Sequence, residues 1–196
     1  GKGCVVVASS GNDYSSTNIN FIGNINQVIA VGGIKGNGIR GEYSNYSSSL
    51  NIVAIGGGVC YVQTNGEYYP KGTIRTIDRE GSHGYANGNY YEHFGMTSAA
   101  APQVSGVAAL MLSVNPNLTS AQVKTIIEQT AYKLPDYNFD ANGWNQEVGY
   151  GLVDAHKAVV HAYEYDYDKQ ISGLDELSSC GMVTYTCDIL SPELFT

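Results

Sequence analysis

The residues best suited to chemistry lie in one stretch near the middle of the chain, Phe94-Gly-Met-Thr-Ser-Ala-Ala-Ala-Pro-Gln-Val-Ser-Gly106. This stretch places Ser98 where a glycine-bearing turn passes into a helix of small residues. A hydroxyl at a helix N-terminus lies beside backbone N–H groups that can stabilise an oxyanion. The pattern is compatible with a reactive hydroxyl at position 98, but a plain helix N-cap is the default interpretation of an isolated Thr-Ser before a helix.

Continuous apolar runs predict the strands that position this helix. The runs are Cys4–Ala8, Val28–Val31 and Ile52–Ile55, and loops rich in Asn, Ser and Gly separate them. Continuous rather than alternating hydrophobicity is typical of parallel strands buried on both faces. We therefore expect an α/β fold, with a parallel sheet flanked by helices.

Three helices are predicted around this sheet. The first spans residues 98–113 and ends before Asn115-Pro116, and Pro102 should loosen its first turn because it cannot donate to the Ser98 carbonyl. The second opens at Thr119-Ser-Ala-Gln122, which has the capping-box pattern. The third begins after Asp154 as its N-cap, and the segment 147–153 before it is predicted to be a short strand or a turn.

The character of the chain changes after Tyr163, which predicts a division into residues 1–163 and 164–196. Residues 164–169 form a polar linker in this interpretation, and 171–177 and 182–190 are predicted strands. Because two strands alone do not make a stable domain, they are interpreted as the start of a β-sandwich-like module.

Composition excludes several classes of function. The net charge of −8 argues against nucleic acid as a partner, because phosphate binding needs clustered Lys and Arg. No run reaches the roughly 18 apolar residues of a membrane span. The spacing of the four cysteines matches no zinc motif. A Cys180–Cys187 disulfide is predicted for an oxidising compartment, with free thiols at Cys4, Cys60, Cys180 and Cys187 as the alternative.

Residues 1–163 resemble the C-terminal half of the catalytic domain of subtilisin-like serine peptidases. Several stretches carry the resemblance in the family's order: Val5-Val-Val-Ala-Ser-Ser-Gly-Asn12, Val28-Ile-Ala-Val-Gly32 with Tyr43-Ser-Asn-Tyr-Ser47, Met96-Thr-Ser-Ala-Ala-Ala-Pro102 and Gly149-Tyr-Gly-Leu-Val-Asp-Ala155.

The resemblance implies a role for each matching residue. Ser98 matches the nucleophile, and Asn12 matches the side-chain donor of the oxyanion hole, with Thr97 as its support. Ser10, Gly11 and Asp13 would contact substrate, and Asp13 would lie near the primary specificity pocket. Without the resemblance, Asn12 and Asp13 are interpreted as ordinary turn residues, because Asn and Asp are common in turns.

The family's general base and its orienting aspartate lie in its N-terminal half, which precedes anything that aligns with Gly1. None of the four histidines occupies the base position: His83 and His93 are expected in loops, and His156 and His161 on the last helix. A chain with this content is expected to be inactive alone. It is also expected either to fold poorly alone or to pair with the cleaved N-terminal half, because its first strand needs neighbours on both sides.

Three residues depart from the family's nucleophile motif. Met96 replaces a glycine, which would be costly if the position needs a positive φ. Ala99 replaces a frequent methionine, and Gln103 a frequent histidine, without an evident consequence.

The sequence therefore predicts part of a secreted or cell-surface bacterial serine endopeptidase that acts on peptides or proteins. The resemblance implies no organic cofactor. Calcium is common in the family, but no loop here names its ligands. The alternative is a catalytically degenerate scaffold or adhesive surface protein, which Met96 and the absent base favour. An unrelated α/β-hydrolase is excluded because no Gly-x-Ser-x-Gly surrounds Ser98.

Overall fold

The computed structural model describes residues 3–15, 21–58, 60–64, 67–71 and 73–172, and gives only the backbone at 21, 60–64, 67–71 and 166–172. Within these ranges the strands are β1 (Val6–Ser9), β2 (Val28–Ile34), β3 (Ile52–Ile55), β4 (Cys60–Thr64), β5 (Glu67–Lys71), β6 (Ile74–Ile77) and β7 (Tyr90–Phe94). The helices are α1 (Thr97–Val114), α2 (Ser120–Thr130) and α3 (Ala155–Ser172).

The predicted parallel sheet with flanking helices is confirmed. Strands β1, β2 and β3 are hydrogen-bonded in that order and run parallel, with Val6 opposite Val28 and Val31 opposite Ile52. The segment predicted as a short strand or turn continues the sheet beyond β3 through a parallel bridge between Val53 and Leu152. Every residue of β2 is buried, as the unbroken apolar run requires.

The first strand differs from its prediction. It begins at Val6 rather than Cys4, and it is not buried on both faces, because the Val6 side chain is 44% exposed. Among the described residues β1 is the edge strand of its sheet. Continuous apolarity in the sequence therefore identified a strand correctly but overestimated its burial.

The three predicted helices are present. Helix α1 starts at Thr97 and continues through Pro102, and the Gln103 side chain donates to the Ala99 carbonyl in this turn at 2.8 Å. The capping box at Thr119 and Gln122 is formed in both directions at the start of α2. The Asp154 carboxylate accepts a hydrogen bond from the Lys157 N–H and caps α3 as predicted.

By length and composition α1 is the helix of the described residues that could cross a membrane. Its inner face contributes Val104, Val107, Ala108 and Met111 to the core against the sheet. This packing accounts for the apolar residues on the inner face of α1.

Two hairpins between β3 and α1 were not predicted. Strand β4 pairs with β5 and strand β6 pairs with β7, both antiparallel. The prediction that His93 lies in a loop is therefore wrong, because it belongs to β7, whereas His83 ends a 3₁₀ turn (Gly81–His83) within the loop between β6 and β7. His156 and His161 do lie on α3.

The end of the described chain corrects a further prediction. Helix α3 extends to Ser172, so residues 164–169 are helical and no strand begins at Ile171. The chain divides into two units, Gly1–Glu164 and Tyr165–Thr196. The β-sandwich-like module and the Cys180–Cys187 disulfide stay predictions, because residues 173–196 lie outside the described residues. Cys4 is exposed and free.

Candidate active site

Ser98 is exposed at the second residue of α1, in the wall of an open cleft. Its neighbours Thr97, Ala99 and Ala100 are buried, so the helix end that carries it is anchored in the core. The helix N-terminus directs backbone N–H groups and a partial positive charge towards the space beside the hydroxyl. A negatively charged oxygen in that space would be stabilised.

The Asn12 side chain is hydrogen-bonded to the same end of α1. Its Oδ1 accepts hydrogen bonds from the Thr97 N–H at 3.1 Å and from the Thr97 hydroxyl at 2.7 Å. Because a backbone N–H is always a donor, the atom facing it must be the amide oxygen. The other end of the amide, the Nδ2 donor of Asn12, therefore points away from Thr97. Thr97 is fully buried. The contacts bring three of the predicted site residues, Asn12, Thr97 and Ser98, into one cluster.

The other predicted substrate contacts lie on the turn that leads to Asn12. Gly11 is buried and has a φ of 102°, a conformation that glycine adopts without strain. Ser10 is fully buried with its hydroxyl 3.5 Å from that of Ser44, so its side chain is closed to substrate. Asp13 is exposed.

Asn45 holds this turn, a role that sequence reasoning missed. Its Oδ1 accepts from the Asp13 and Ser15 N–H groups at 2.9 and 3.0 Å, and its Nδ2 donates to the Asp13 carboxylate at 2.9 Å. The Asn45 side chain is fully buried. The signal was present in the motif Tyr43-Ser-Asn-Tyr-Ser47, but the contacts span about thirty residues and no local pattern reveals them.

Tyr43, from the same motif, packs under the site. Its ring lies against Gly33 and Gly41, where a side chain would collide with it, and its hydroxyl donates to the Gly57 carbonyl at 2.9 Å. Burial raises the pKa of Tyr43 to about 12, with a smaller contribution from the charge of Glu42. Next to Gly57, the Gly56 carbonyl accepts from the Met96 N–H at 2.7 Å. Tyr43 therefore supports the segment that holds the residue before α1.

The backbone of Met96 adopts a conformation that is costly for any residue other than glycine, which is the residue of the family's motif at this position. Its φ is 62° and its ψ is −159°, in a region populated almost only by glycine. It is the residue before α1, and the Ala99 N–H bonds to its carbonyl at 3.0 Å. The strain therefore lies two residues from Ser98.

The cleft beside Ser98 has a volume of about 490 Å³. The β6–β7 hairpin supplies most of its lining, with Thr76, Ile77, Tyr91, His93 and Phe94, while Asp78 and Tyr85 come from the connecting loop and Gly95 and Met96 complete it. Sequence reasoning missed this wall because it did not find the hairpin. His93 is the histidine of the described residues that shares the cleft with Ser98.

Among the described residues, no three His, Cys, Asp or Glu side chains come together in a way that could hold a metal ion. No calcium ligands are therefore assigned, and no step of the chemistry is derived through calcium.

Known proteins resemble the chain over most of its length. The family model described as "Subtilase family" matches residues 1–151. A protein named calcium-dependent protease from Trichormus variabilis is 34% identical over 170 residues, which cover 81% of this chain and 25% of that protein. An extracellular protease from Xanthomonas campestris is 33% identical over 162 residues, which cover 82% of this chain and 24% of that protein.

Solved structures agree with these matches. A Pseudoalteromonas arctica protease superposes with a TM-score of 0.66 at 33% identity, covering 82% of this chain and 43% of that one. Fervidolysin from Fervidobacterium pennivorans gives a TM-score of 0.56 at 26% identity, covering 81% and 22%. The chain spans about a quarter of the length of the two curated relatives from Trichormus variabilis and Xanthomonas campestris. With the family model covering residues 1–151 and the fold shared with solved proteases, the chain belongs to the subtilase family of peptidases.

Proposed function

We propose that the protein acts as a serine endopeptidase in which Ser98 is the nucleophile. The observation that carries the proposal is the fixed Asn12 amide, which two hydrogen bonds from Thr97 orient beside the exposed hydroxyl-bearing end of α1. A serine that served only as a helix cap would not need an oriented amide donor next to it.

The geometry supports a definite course for the reaction. The Ser98 Oγ attacks the carbonyl carbon of a peptide bond and gives its proton to a general base. The carbonyl oxygen becomes an oxyanion that accepts from the Asn12 Nδ2 and the Ser98 N–H. The amine leaves with a proton, and water then hydrolyses the ester on Ser98.

We propose that the base and its orienting aspartate come from polypeptide outside residues 1–196. In the resemblance both belong to the half of the domain that precedes the matching segment. Residues 1–196 alone then lack an activated nucleophile, because loss of a triad member in such enzymes removes all but about 10³–10⁴-fold of the acceleration over water.

The exposed faces of the fold support a partner of this kind. Helix α1 has no charged residue, yet Leu110 and Val114 are 53% and 40% exposed on it, and Val6 on β1 is 44% exposed. We propose that the remaining part of the catalytic domain covers these surfaces. The name "Extracellular protease" of the Xanthomonas campestris relative supports secretion, and peptides or proteins are the proposed substrates.

A second candidate function is a non-catalytic subtilase-fold scaffold. The strained Met96 favours it, because selection for catalysis would keep glycine where φ is 62°. The two functions differ in whether the hydroxyl at position 98 reacts.

The discriminating experiment compares two serine variants of one helix in the protein with its complete catalytic domain. Ser98→Ala is expected to lower peptide hydrolysis, followed by mass spectrometry, by at least about 10³-fold. Ser105→Ala is the matched control, since Ser105 is exposed on α1 and its hydroxyl bonds only along the helix to the Ala101 carbonyl at 3.3 Å. Equal activity in the two variants would refute the proposed nucleophile.

A further inference from the structure

The residue before α1 joins three parts of the fold through its backbone. The Met96 N–H donates to the Gly56 carbonyl, just beyond β3, at 2.7 Å. The Met96 carbonyl accepts from the Ala99 N–H at 3.0 Å, in the first turn of α1. The next N–H along the chain, that of Thr97, donates to the Asn12 Oδ1 at 3.1 Å. The backbone orientation at Met96 therefore decides how the end of β3, the start of α1 and the turn that carries Asn12 meet.

This junction holds Met96 in a strained backbone conformation. Its φ is 62° and its ψ is −159°, a combination that is populated almost only by glycine. Strain of this kind persists only where the surrounding contacts outweigh it. The hydrogen bond to Gly56 is the contact that depends directly on the φ of Met96, because φ sets the direction of the N–H relative to the rest of the residue. The strain and this hydrogen bond are therefore linked.

One local motion removes the strain. A half-turn of the peptide group between Gly95 and Met96 changes the Met96 φ from 62° to about −118° and leaves its ψ unchanged. The new pair of angles lies in the extended region, which residues with a side chain adopt freely. The compensating rotation falls on the ψ of Gly95, and glycine tolerates it because it has no Cβ. A glycine directly before the strained residue therefore allows such a flip.

The same motion breaks the hydrogen bond to the end of β3. The Met96 N–H turns away, and the Gly95 carbonyl takes its place facing the Gly56 carbonyl. The segment after β3 is held in place, because the Tyr43 hydroxyl donates to the Gly57 carbonyl at 2.9 Å. It also packs closely, since a Cβ added at Gly56 would lie 2.8 Å from the Met96 carbonyl oxygen. Relief of strain and loss of a hydrogen bond have similar magnitudes and opposite signs, so the two orientations are close in free energy.

We propose that the Gly95–Met96 peptide is a two-state latch, closed in this structure, and that Ser98 is reactive only while the latch is closed. The inference rests on the proposed function for the role of Ser98. Ser98 lies two residues after Met96, at the exposed start of α1. With the latch open, the residue before α1 loses its hydrogen bond to the end of β3, and the helix end that bonds to Asn12 is no longer fixed. Met96 is then a positioning residue that acts through its backbone.

NMR relaxation dispersion measures the flip without any chemistry at Ser98. The amide of Thr97, next to the moving peptide, is observed in the complete catalytic domain with isotope-labelled threonine and is assigned with the Thr97→Ser variant. We expect exchange at Thr97 on the microsecond-to-millisecond timescale. The amide of Thr130, the last residue of α2, is the internal reference and should show none. A flat dispersion profile at Thr97 would overturn the latch.

Two substitutions at position 96 separate the strain from the loss of the side chain. Met96→Gly removes the strain from the closed latch and keeps its hydrogen bond, so the closed form should be populated almost alone and the exchange at Thr97 should disappear. Met96→Ala loses the same side-chain contacts but keeps the strain, so the exchange should persist. A role of the Met96 side chain in packing alone would affect both variants alike. Equal exchange at Thr97 in the two variants would therefore refute the inference.

The rate at which a fluorophosphonate labels Ser98 tests the link between the latch and reactivity. Because the labelling rate should follow the population of the closed latch, we expect Met96→Gly to react about three- to tenfold faster than Met96→Ala. Equal rates in the two variants would refute the link. Absence of any adduct on Ser98 in the parent protein would instead refute the proposed function, and the exchange at Thr97 would still decide whether the latch exists.

Discussion

At the scale of single residues, the site depends on how a few polar atoms are oriented. Ser98 is held at the exposed start of α1 while its neighbours are buried, and the Asn12 oxygen is occupied by Thr97. In the proposed function the Asn12 amide nitrogen, which Thr97 leaves free to donate, and the N–H groups at the start of α1 serve as donors to the oxyanion. Such preorganised donors are the main source of oxyanion stabilisation.

The Asn12–Thr97 pair gives a graded prediction in the complete catalytic domain. Asn12→Ala should lower kcat about 10²–10³-fold, a figure carried over from removal of an oxyanion donor in subtilisin itself. Thr97→Val, which keeps the N–H bond but loses the 2.7 Å hydroxyl bond, should lower kcat about tenfold. Thr97→Ser is the control and should stay near the parent value. Steady-state kinetics with unchanged KM would agree, whereas a Thr97→Ser loss as large as that of Thr97→Val would contradict the role of the hydroxyl.

The backbone conformation of Met96 predicts that a glycine at position 96 gives a higher free energy of unfolding than an alanine there. Its backbone conformation costs an ordinary residue on the order of 1–3 kcal/mol, and glycine adopts it freely. Met96→Ala loses the same side-chain contacts but keeps the strain, so it is the matched comparison. Met96→Gly should have a free energy of unfolding about 1 kcal/mol higher than Met96→Ala by urea denaturation, after the greater entropy of glycine in the unfolded chain is counted. Equal stabilities would show that the backbone at position 96 relaxes in solution.

At the scale of elements, the parallel strands and the starts of the helices were predictable from sequence. Unbroken apolar runs identified β2 and β3, and local capping chemistry identified the starts of α2 and α3, because these signals depend on adjacent residues. The β6–β7 hairpin was missed: Ile74–Ile77 is too short for a clear alternation, and the loop before Tyr90 is rich in Gly and Asn. The role of Asn45 was missed because its partners are distant in sequence.

Tyr43 couples the elements under the site to pH. Its pKa is raised to about 12 in the folded state against about 10 in the unfolded chain, so the Tyr43 hydroxyl stays protonated to a higher pH when the protein is folded. The contribution of this pKa difference to the free energy of unfolding is therefore complete below pH 10. It falls by about 2 kcal/mol as the pH rises towards 12. Tyr43→Phe lacks this titration.

Urea unfolding of both proteins between pH 8 and pH 12 measures this effect. The stability advantage of the parent over Tyr43→Phe should shrink across pH 10–12. An advantage that stays constant over that interval would mean that the hydroxyl of Tyr43 is accessible enough to ionise with its ordinary pKa.

At the scale of the whole molecule, the proposed function makes the described residues one part of a catalytic domain. In the proposed function Ser98 is the nucleophile and Asn12 the oxyanion donor, while the family resemblance places the base elsewhere. The apolar exposed face of α1 and the edge position of β1 are the surfaces on which the rest of such a domain would lie. Reactivity of Ser98 is therefore expected to be a property of the assembled domain.

The most direct measurement of the central claim is labelling with a fluorophosphonate followed by peptide mapping. The phosphorus bonds to the attacking hydroxyl and fluoride leaves, so only an activated serine reacts quickly. In the protein with its complete catalytic domain we predict one adduct, on Ser98, and labelling at least about 100-fold slower for residues 1–196 alone. An adduct on another serine, or no adduct on Ser98 in the complete domain, would contradict the account.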